Sequence, residues 1–302
     1  MKRSILLAAA LIFTGAPETP PATNEISGYE YTVIDGEVTV VGFTGEPVYI
    51  DIPGFIEGCP VTEIRDNAFY NCHSLKSIKL PDTVLKIGHH SFYACYELES
   101  VILPDGLEEI GMGCFCGCGE LSYVELPDTL KVLPDSCFRA CASLTAVTLP
   151  QELETIEKLC FSGCRELRSV ETGDSLADIG ERAFYMCGGL GYVYIPPSVK
   201  NIGTEALGYD CDGNMLIKHT EMIIAGAEGS AAERYAEENG MVFAAGECSV
   251  GAFAEIGIND DPSGIPAAAW WGLAVFAATG AAVLWWVFGG SGEDSLNDDE
   301  KD

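Results

Sequence analysis

Leu133-Pro134-Asp135-Ser136-Cys137-Phe138-Arg139-Ala140-Cys141-Ala142-Ser143-Leu144-Thr145-Ala146-Val147-Thr148-Leu149-Pro150 decides the fold, because its pattern returns along the chain every 23 residues. The opening aliphatic position runs Ile64, Ile87, Ile110, Leu133, Ile156, Ile179, Ile202. Five places on stand Phe69, Phe92, Phe115, Phe138, Phe161 and Phe184, and then Leu207. Cys72, Cys95, Cys118, Cys141, Cys164 and Cys187 follow three places later. After them come Leu75, Leu98, Leu121, Leu144, Leu167 and Leu190, and then an Ile or Val from Ile78 to Val193. A Leu-Pro or Ile-Pro step closes most units; the fifth has Thr172-Gly173 there. So strict a period means a stack of coils, each too small to bury its own apolar face and each burying it on its neighbours. The phenylalanines, sharing one phase, are expected to form an interior column, each contributing roughly 1.5–3 kcal/mol on full burial. These units place a repeat solenoid over residues 62–209.

The V-x-L part of each unit reads as a short strand. Alternation sends Val and Leu inward and their neighbours outward. The outward ladder is then Ser77/Lys79, Ser100/Ile102, Tyr123/Glu125, Ala146/Thr148, Ser169/Glu171 and Tyr192/Tyr194. Stacked strands present such residues as one surface, the usual binding face of a solenoid. Tyr123, Tyr192 and Tyr194, with Lys79, Glu125 and Glu171, are therefore the candidate ligand-binding residues, tyrosine being a frequent interface anchor. Tyr also fits strands well, so the alternative that these side chains only stiffen and solvate the sheet stays open. A second exposed row is expected at Tyr70, Tyr93, Cys116, Arg139, Ser162 and Tyr185.

The 13 cysteines look at first like a disulfide framework. Six occupy one repeat phase, and Cys114, Cys137 and Cys160 occupy a second, where other units carry Ala68, Ser91, Ala183 and Ala206. They fill slots that want a compact side chain, which a thiol suits as a small hydrophobe with a weak S–H donor. Neighbouring coils at about 4.8 Å are close enough for a disulfide, but nearly parallel Cβ vectors disfavour its torsion of about 90°. Cys59, Cys116, Cys211 and Cys248 remain outside the slots. Free thiols outside a cell suit an anaerobe.

The pattern I-x-x-x-[AC]-F-x-x-C-x-x-L-x-x-V-x-L-P resembles the BspA-like leucine-rich-repeat family, over about Tyr29 to Phe243. The resemblance implies a leucine-rich-repeat solenoid displayed outside the cell, often on anaerobic host-associated bacteria, with adhesion or protein binding as its role. Residues 23–61 read as an N-terminal cap, with Val38 to Val61 as strands and turns closing the first coil. Residues 210–246 read as a C-terminal cap, a terminal element similar to that of the family. Within it Ser230 and Glu233 form a capping box and Gly240 ends a helix.

Both ends point to a membrane. Lys2 and Arg3, then the apolar run Ile5–Phe13, read as a signal peptide over 1–22, too short to span a bilayer and without a clean cleavage site. After a linker over 247–266, Ala267–Phe288 is uncharged and about 33 Å long as a helix, enough for the hydrocarbon core. All four tryptophans lie at its two ends, as Trp270-Trp271 and Trp285-Trp286, where indoles prefer the interface. Residues 289–302 form an acidic tail, and the signal peptide, rather than flanking charge, puts the repeats outside.

A net charge of −30 argues against nucleic-acid partners, which require cations against phosphate. No phosphate-binding glycine loop, nucleophile motif or metal-ligand spacing stands out. Cys114-Phe115-Cys116-Gly117-Cys118 is better explained by repeat slots, and Asp210-Cys211-Asp212-Gly213-Asn214 by a tight turn rather than a calcium loop. His73, His89, His90 and His219 fall at surface phases. No segment of domain size remains beyond the solenoid, caps and anchor. The expectation is a non-enzymatic, membrane-anchored surface protein with no cofactor, binding a protein or glycoprotein; a scaffolding component of the envelope is the alternative.

Overall fold

The computed structural model describes residues 28–213 and 215–246. The expected signal peptide, linker, membrane helix with its tryptophans, and acidic tail lie outside the described residues. Among the described residues no helix is long and apolar enough to cross a membrane.

The chain winds into a β-solenoid of about nine turns. The V-x-L segments form one set of parallel strands. Tyr49–Asp51, Ser77–Lys79 and Ser100–Ile102 pair in one sheet, and Ala146–Thr148 pairs with Ser169–Glu171 in another. Tyr192–Tyr194 pairs with Ile223–Gly226, which pairs with Val242–Ala245. Most coils carry a second strand, only two residues long, at the opening aliphatic position. Cys59–Ile64, Lys86–Ile87 and Glu109–Ile110 stack in parallel, as do Val132–Leu133, Thr155–Ile156, Asp178–Ile179 and Asn201–Ile202. One inward residue per strand is too short a run for alternation to reveal it.

The interior matches the period. Rings of successive phenylalanines from Phe69 to Phe184 stack with centroids 5.2–5.4 Å apart and planes within 8°. Phe69, Phe92, Phe115, Phe138 and Phe161 are fully buried. The cysteine phase does more than fill space. Cys95 Sγ–H donates to Phe69 O at 3.1 Å, and Cys118, Cys141, Cys164 and Cys187 donate to Phe92, Phe115, Phe138 and Phe161 at 3.2 Å. Each thiol thus adds a second donor to a buried carbonyl of the preceding coil, which already accepts from the backbone N–H three residues on. Cys72, first of the row, is only half-buried. The twelve cysteines among the described residues are free thiols.

Both strand ladders lapse between the coils of Ile110 and Leu133, and the V-x-L ladder breaks again between Ser169–Glu171 and Tyr192–Tyr194. Gly88, Gly111, Glu157, Gly180 and Gly203 donate their N–H to the aliphatic carbonyl one coil earlier, at 2.7–2.8 Å. The residue at this phase between Gly111 and Glu157 is Pro134, which has no N–H to give Ile110. The sheet accordingly stops at Glu109–Ile110 and restarts at Val132–Leu133. The approach here is close: a Cβ on Gly111 or Gly180 would lie 2.4 Å from the preceding coil's backbone nitrogen. Glu157 nevertheless keeps its rung, so the missing donor, rather than added bulk, accounts for the lapse at Pro134.

The ends are closed differently. At the start, Tyr29–Ile34 and Glu37–Phe43 form an antiparallel hairpin laid against Cys59–Ile64. At the other end the helix Ala231–Asn239 buries Ala231, Ala232, Tyr235 and Ala236. Ser230 Oγ accepts from Glu233 N–H as expected, but the Glu233 carboxylate accepts from Gly229 N–H rather than from Ser230. Ser230 N–H is already donated to Ala227 O, so the returning carboxylate moves one residue back. Gly240 ends the helix in the left-handed conformation, at φ 62°.

Candidate ligand-binding face

Outward residues of the V-x-L strands sit as alternation requires. Lys79, Ile102, Thr148 and Glu171 are exposed beside buried Ile78, Val101, Val147 and Val170. The ladder is not one continuous sheet, however. In the coil of Tyr123 the strand shrinks to a single bridge, Ser100 to Tyr123. Rungs from Leu80 N–H to Ile102 O, Leu149 N–H to Glu171 O and Ile195 N–H to Ala225 O tie other coils at 2.8–3.1 Å. Among the described residues no corresponding backbone bond is made by Leu103, Leu126 or Thr172, although the Thr172 hydroxyl donates to Tyr194 O at 3.2 Å.

Where the rungs of Leu103 and Leu126 lapse the surface opens into a groove of about 1020 Å³. Its floor is aliphatic, from Val101, Leu103, Val124, Leu126 and Leu149. Ile102 and Tyr123 rise from it, 56% and 50% exposed. Glu99, Glu120, Glu125, Asp105 and Asp128 line its walls, with the hydroxyls of Ser100, Ser122, Ser143 and Thr148. Burial and the neighbouring Glu125 carboxylate push the Tyr123 hydroxyl pKa up.

Of the candidate residues, only Tyr123 and Glu125 lie in the groove. Lys79 and Glu171 flank it, in register with Ile102 and Thr148 respectively. Tyr192 and Tyr194 lie three coils further on and are half-buried in a sheet with Ile223–Gly226. Asp105 and Asp128 were not picked out from sequence, although with Asp82 they recur at the 23-residue step after Leu-Pro. Tyr49, 61% exposed, extends the ladder in register with Ser77, an offset of 28 residues that breaks the period and hides it from repeat alignment.

The second row is only partly exposed. Tyr70 and Tyr93 stack at 5.0 Å, but Ser162 is buried, contrary to the expectation from its phase. Cys114 and Cys118 are core residues, while Cys116 is half-buried at the surface. No group of three or more His, Cys, Asp or Glu among the described residues is arranged to hold a metal. Tyr209–Asp212 and Met215–Lys218 form an antiparallel hairpin, which makes the segment around Gly213 a turn.

Stacked coils with a common aromatic interior and short parallel strands define a leucine-rich-repeat solenoid. The BspA type leucine rich repeat model matches six copies over residues 62–187 and 132–214, just over half of the chain, and the chain belongs to that family. It is similar to a leucine rich cell surface protein of Faecalibacterium prausnitzii, at 29% identity with a TM-score of 0.53 over 63% of this chain. The match spans 56% of that protein's solved chain. A leucine rich repeat protein of T. pallidum is 30% identical over 53% of this chain and 86% of its own, with a TM-score of 0.45. One from Bacteroides ovatus is 23% identical over 75% and 67%, with a TM-score of 0.42. Among curated proteins none matches.

Proposed function

We propose that this chain is a membrane-anchored cell-surface binding protein that takes a protein or glycoprotein ligand on its strand face, as in adhesion. The observation that carries the reading is the groove of about 1020 Å³, where Tyr123 and Ile102 stand exposed over an aliphatic floor. An amphipathic aromatic beside apolar surface is the usual make-up of a hot spot. The likeness to a protein described as a cell surface protein supports display outside the cell. The uncharged segment Ala267–Phe288 supports a retained anchor. The role proposed is binding rather than turnover, as the leucine-rich-repeat family suggests.

The test is binding of residues 24–246 to immobilised matrix proteins and mucin. A Tyr123→Ala/Ile102→Ser variant is expected to lose about tenfold in affinity or more, as loss of a hot spot does. A Tyr192→Ala/Tyr194→Ala variant measures whether the face extends to the last coils. Undiminished binding by the first variant removes the groove from the site. Turnover in a broad hydrolase screen overturns the assignment to binding.

A further inference from the structure

We infer that the groove receives an extended cationic segment of a partner protein, one that alternates Lys or Arg with apolar side chains. This rests on the strand-face reading and adds the chemistry of the ligand. The solenoid has few cations, and several of them are held by acids of neighbouring coils: Lys76 by Glu99, Lys86 by Glu109, Lys131 by Glu152, Lys158 by Asp135, Arg182 by Glu205. Around the groove this compensation fails. Glu99 is held by Lys76, but Asp105, Glu120, Glu125 and Asp128 take part in none of the ion pairs among the described residues. No Lys, Arg or His lines the groove. Four carboxylates thus edge an aliphatic floor on which Tyr123 and Ile102 are exposed.

A floor with low-dielectric walls of one charge sign concentrates the field of those carboxylates. An extended segment sends successive side chains to opposite sides, so apolar residues reach the floor while the alternate cations face away from it and bend their long stems back to the acidic rim. Tyr123 adds a ring face suited to a guanidinium or ammonium group. A neutral or anionic segment would leave the carboxylates unpaired on desolvation, which penalises it.

The experiment uses the full-length protein and a short fluorescent peptide alternating lysine with valine, beside a counterpart with glutamate for lysine. The lysine peptide is expected to bind and the glutamate peptide not. Affinity should fall as salt rises, since exposed charges are screened. Glu120→Gln/Glu125→Gln/Asp128→Asn is expected to weaken binding about tenfold. Glu154→Gln/Glu237→Gln/Glu238→Gln, which removes as many charges from exposed sites outside the groove, should change it by less than about twofold. Equal losses in both variants would assign the binding to overall negative charge and overturn the proposal, as would equal binding of both peptides or no binding of the lysine peptide. If the lysine peptide fails while Tyr123→Ala still abolishes binding to matrix protein or mucin, the strand face stands and the cationic ligand falls. If the lysine peptide binds through the three acids while Tyr123→Ala leaves adhesion unchanged, the groove is a cationic site and the adhesive face lies elsewhere.

Discussion

At the residue scale the repeat rests on two partners that meet at every coil, a phenylalanine ring and a thiol. Emptying one ring position, as in Phe138→Ala, removes contacts on both sides of a stacked column, a loss in the range of about 3–5 kcal/mol. The thiols have a pH consequence. Burial pushes Cys95 and Cys164 up to about 12, and Cys114, Cys118, Cys137, Cys141, Cys160 and Cys187 well above the ordinary value of 9.0. A folded thiol that stays protonated while its unfolded counterpart ionises contributes stability that is whole below pH 9 and lost as pH rises towards 12. Each thiol forfeits about 1.4 kcal/mol per pH unit in that window. Urea midpoints should therefore hold up to about pH 9 and fall steeply between pH 9 and pH 11 in reducing buffer, and Cys141→Ala should make the fall shallower by one thiol's share. A pH-independent midpoint would show that these sulfurs are solvated. Alkylation at pH 8 should mark Cys59, Cys116 and Cys211, which are half-buried, before the core thiols.

At the element scale, two residues show how a coil knows its neighbour. Pro134 interrupts one ladder by lacking a donor, and Glu157 shows that a side chain is tolerated at that phase when the N–H is kept. Pro134→Ala restores an N–H facing Ile110 O. The new amide should exchange slowly with deuterium, and global stability should change by less than about 1 kcal/mol, because the regained bond is offset by the lost rigidity of proline. Fast exchange at residue 134 would mean that another constraint separates the coils. The second residue is Tyr235. In inner coils the phenylalanine N–H donates to the following coil, Phe161 to Ala183 and Phe184 to Ala206 at 2.8 Å. Leu207 has no following coil, and the Tyr235 hydroxyl replaces it, accepting from Leu207 N–H and donating to Leu207 O, both at 3.0 Å. Tyr235→Phe should leave those groups buried and unpaired and cost about 1–3 kcal/mol in chemical denaturation. A loss below a few tenths would show that water reaches the cap.

At the scale of the whole molecule, charge and stacking oppose each other. The ion pairs between coils are exposed, with lysine side chains 39–60% accessible, so each is worth little, about 0–1 kcal/mol. The chain carries a net charge of −30, and the excess of acids over bases on the coils repels itself along the stack. Moderate salt screens both, and the repulsion is the larger sum. The thermal midpoint should therefore rise from low to physiological ionic strength. A fall would mean that the ladder of ion pairs outweighs the repulsion.

The sequence by itself determined the solenoid. Six phenylalanines and six cysteines at a 23-residue step admit one stacked interior, and Ser230, Glu233 and Gly240 mark the closing helix by local chemistry alone. It also placed Tyr123 and Glu125 outward, because alternation along a strand is local. Only the tertiary structure decided that these two share a groove with Ile102, Asp105 and Asp128, while Tyr192 and Tyr194 stand apart. The groove arises where rungs between coils go unmade, and a rung depends on two backbones meeting across the stack. Periodicity describes each coil as if its neighbours were the same, so it is blind to the junctions where they differ.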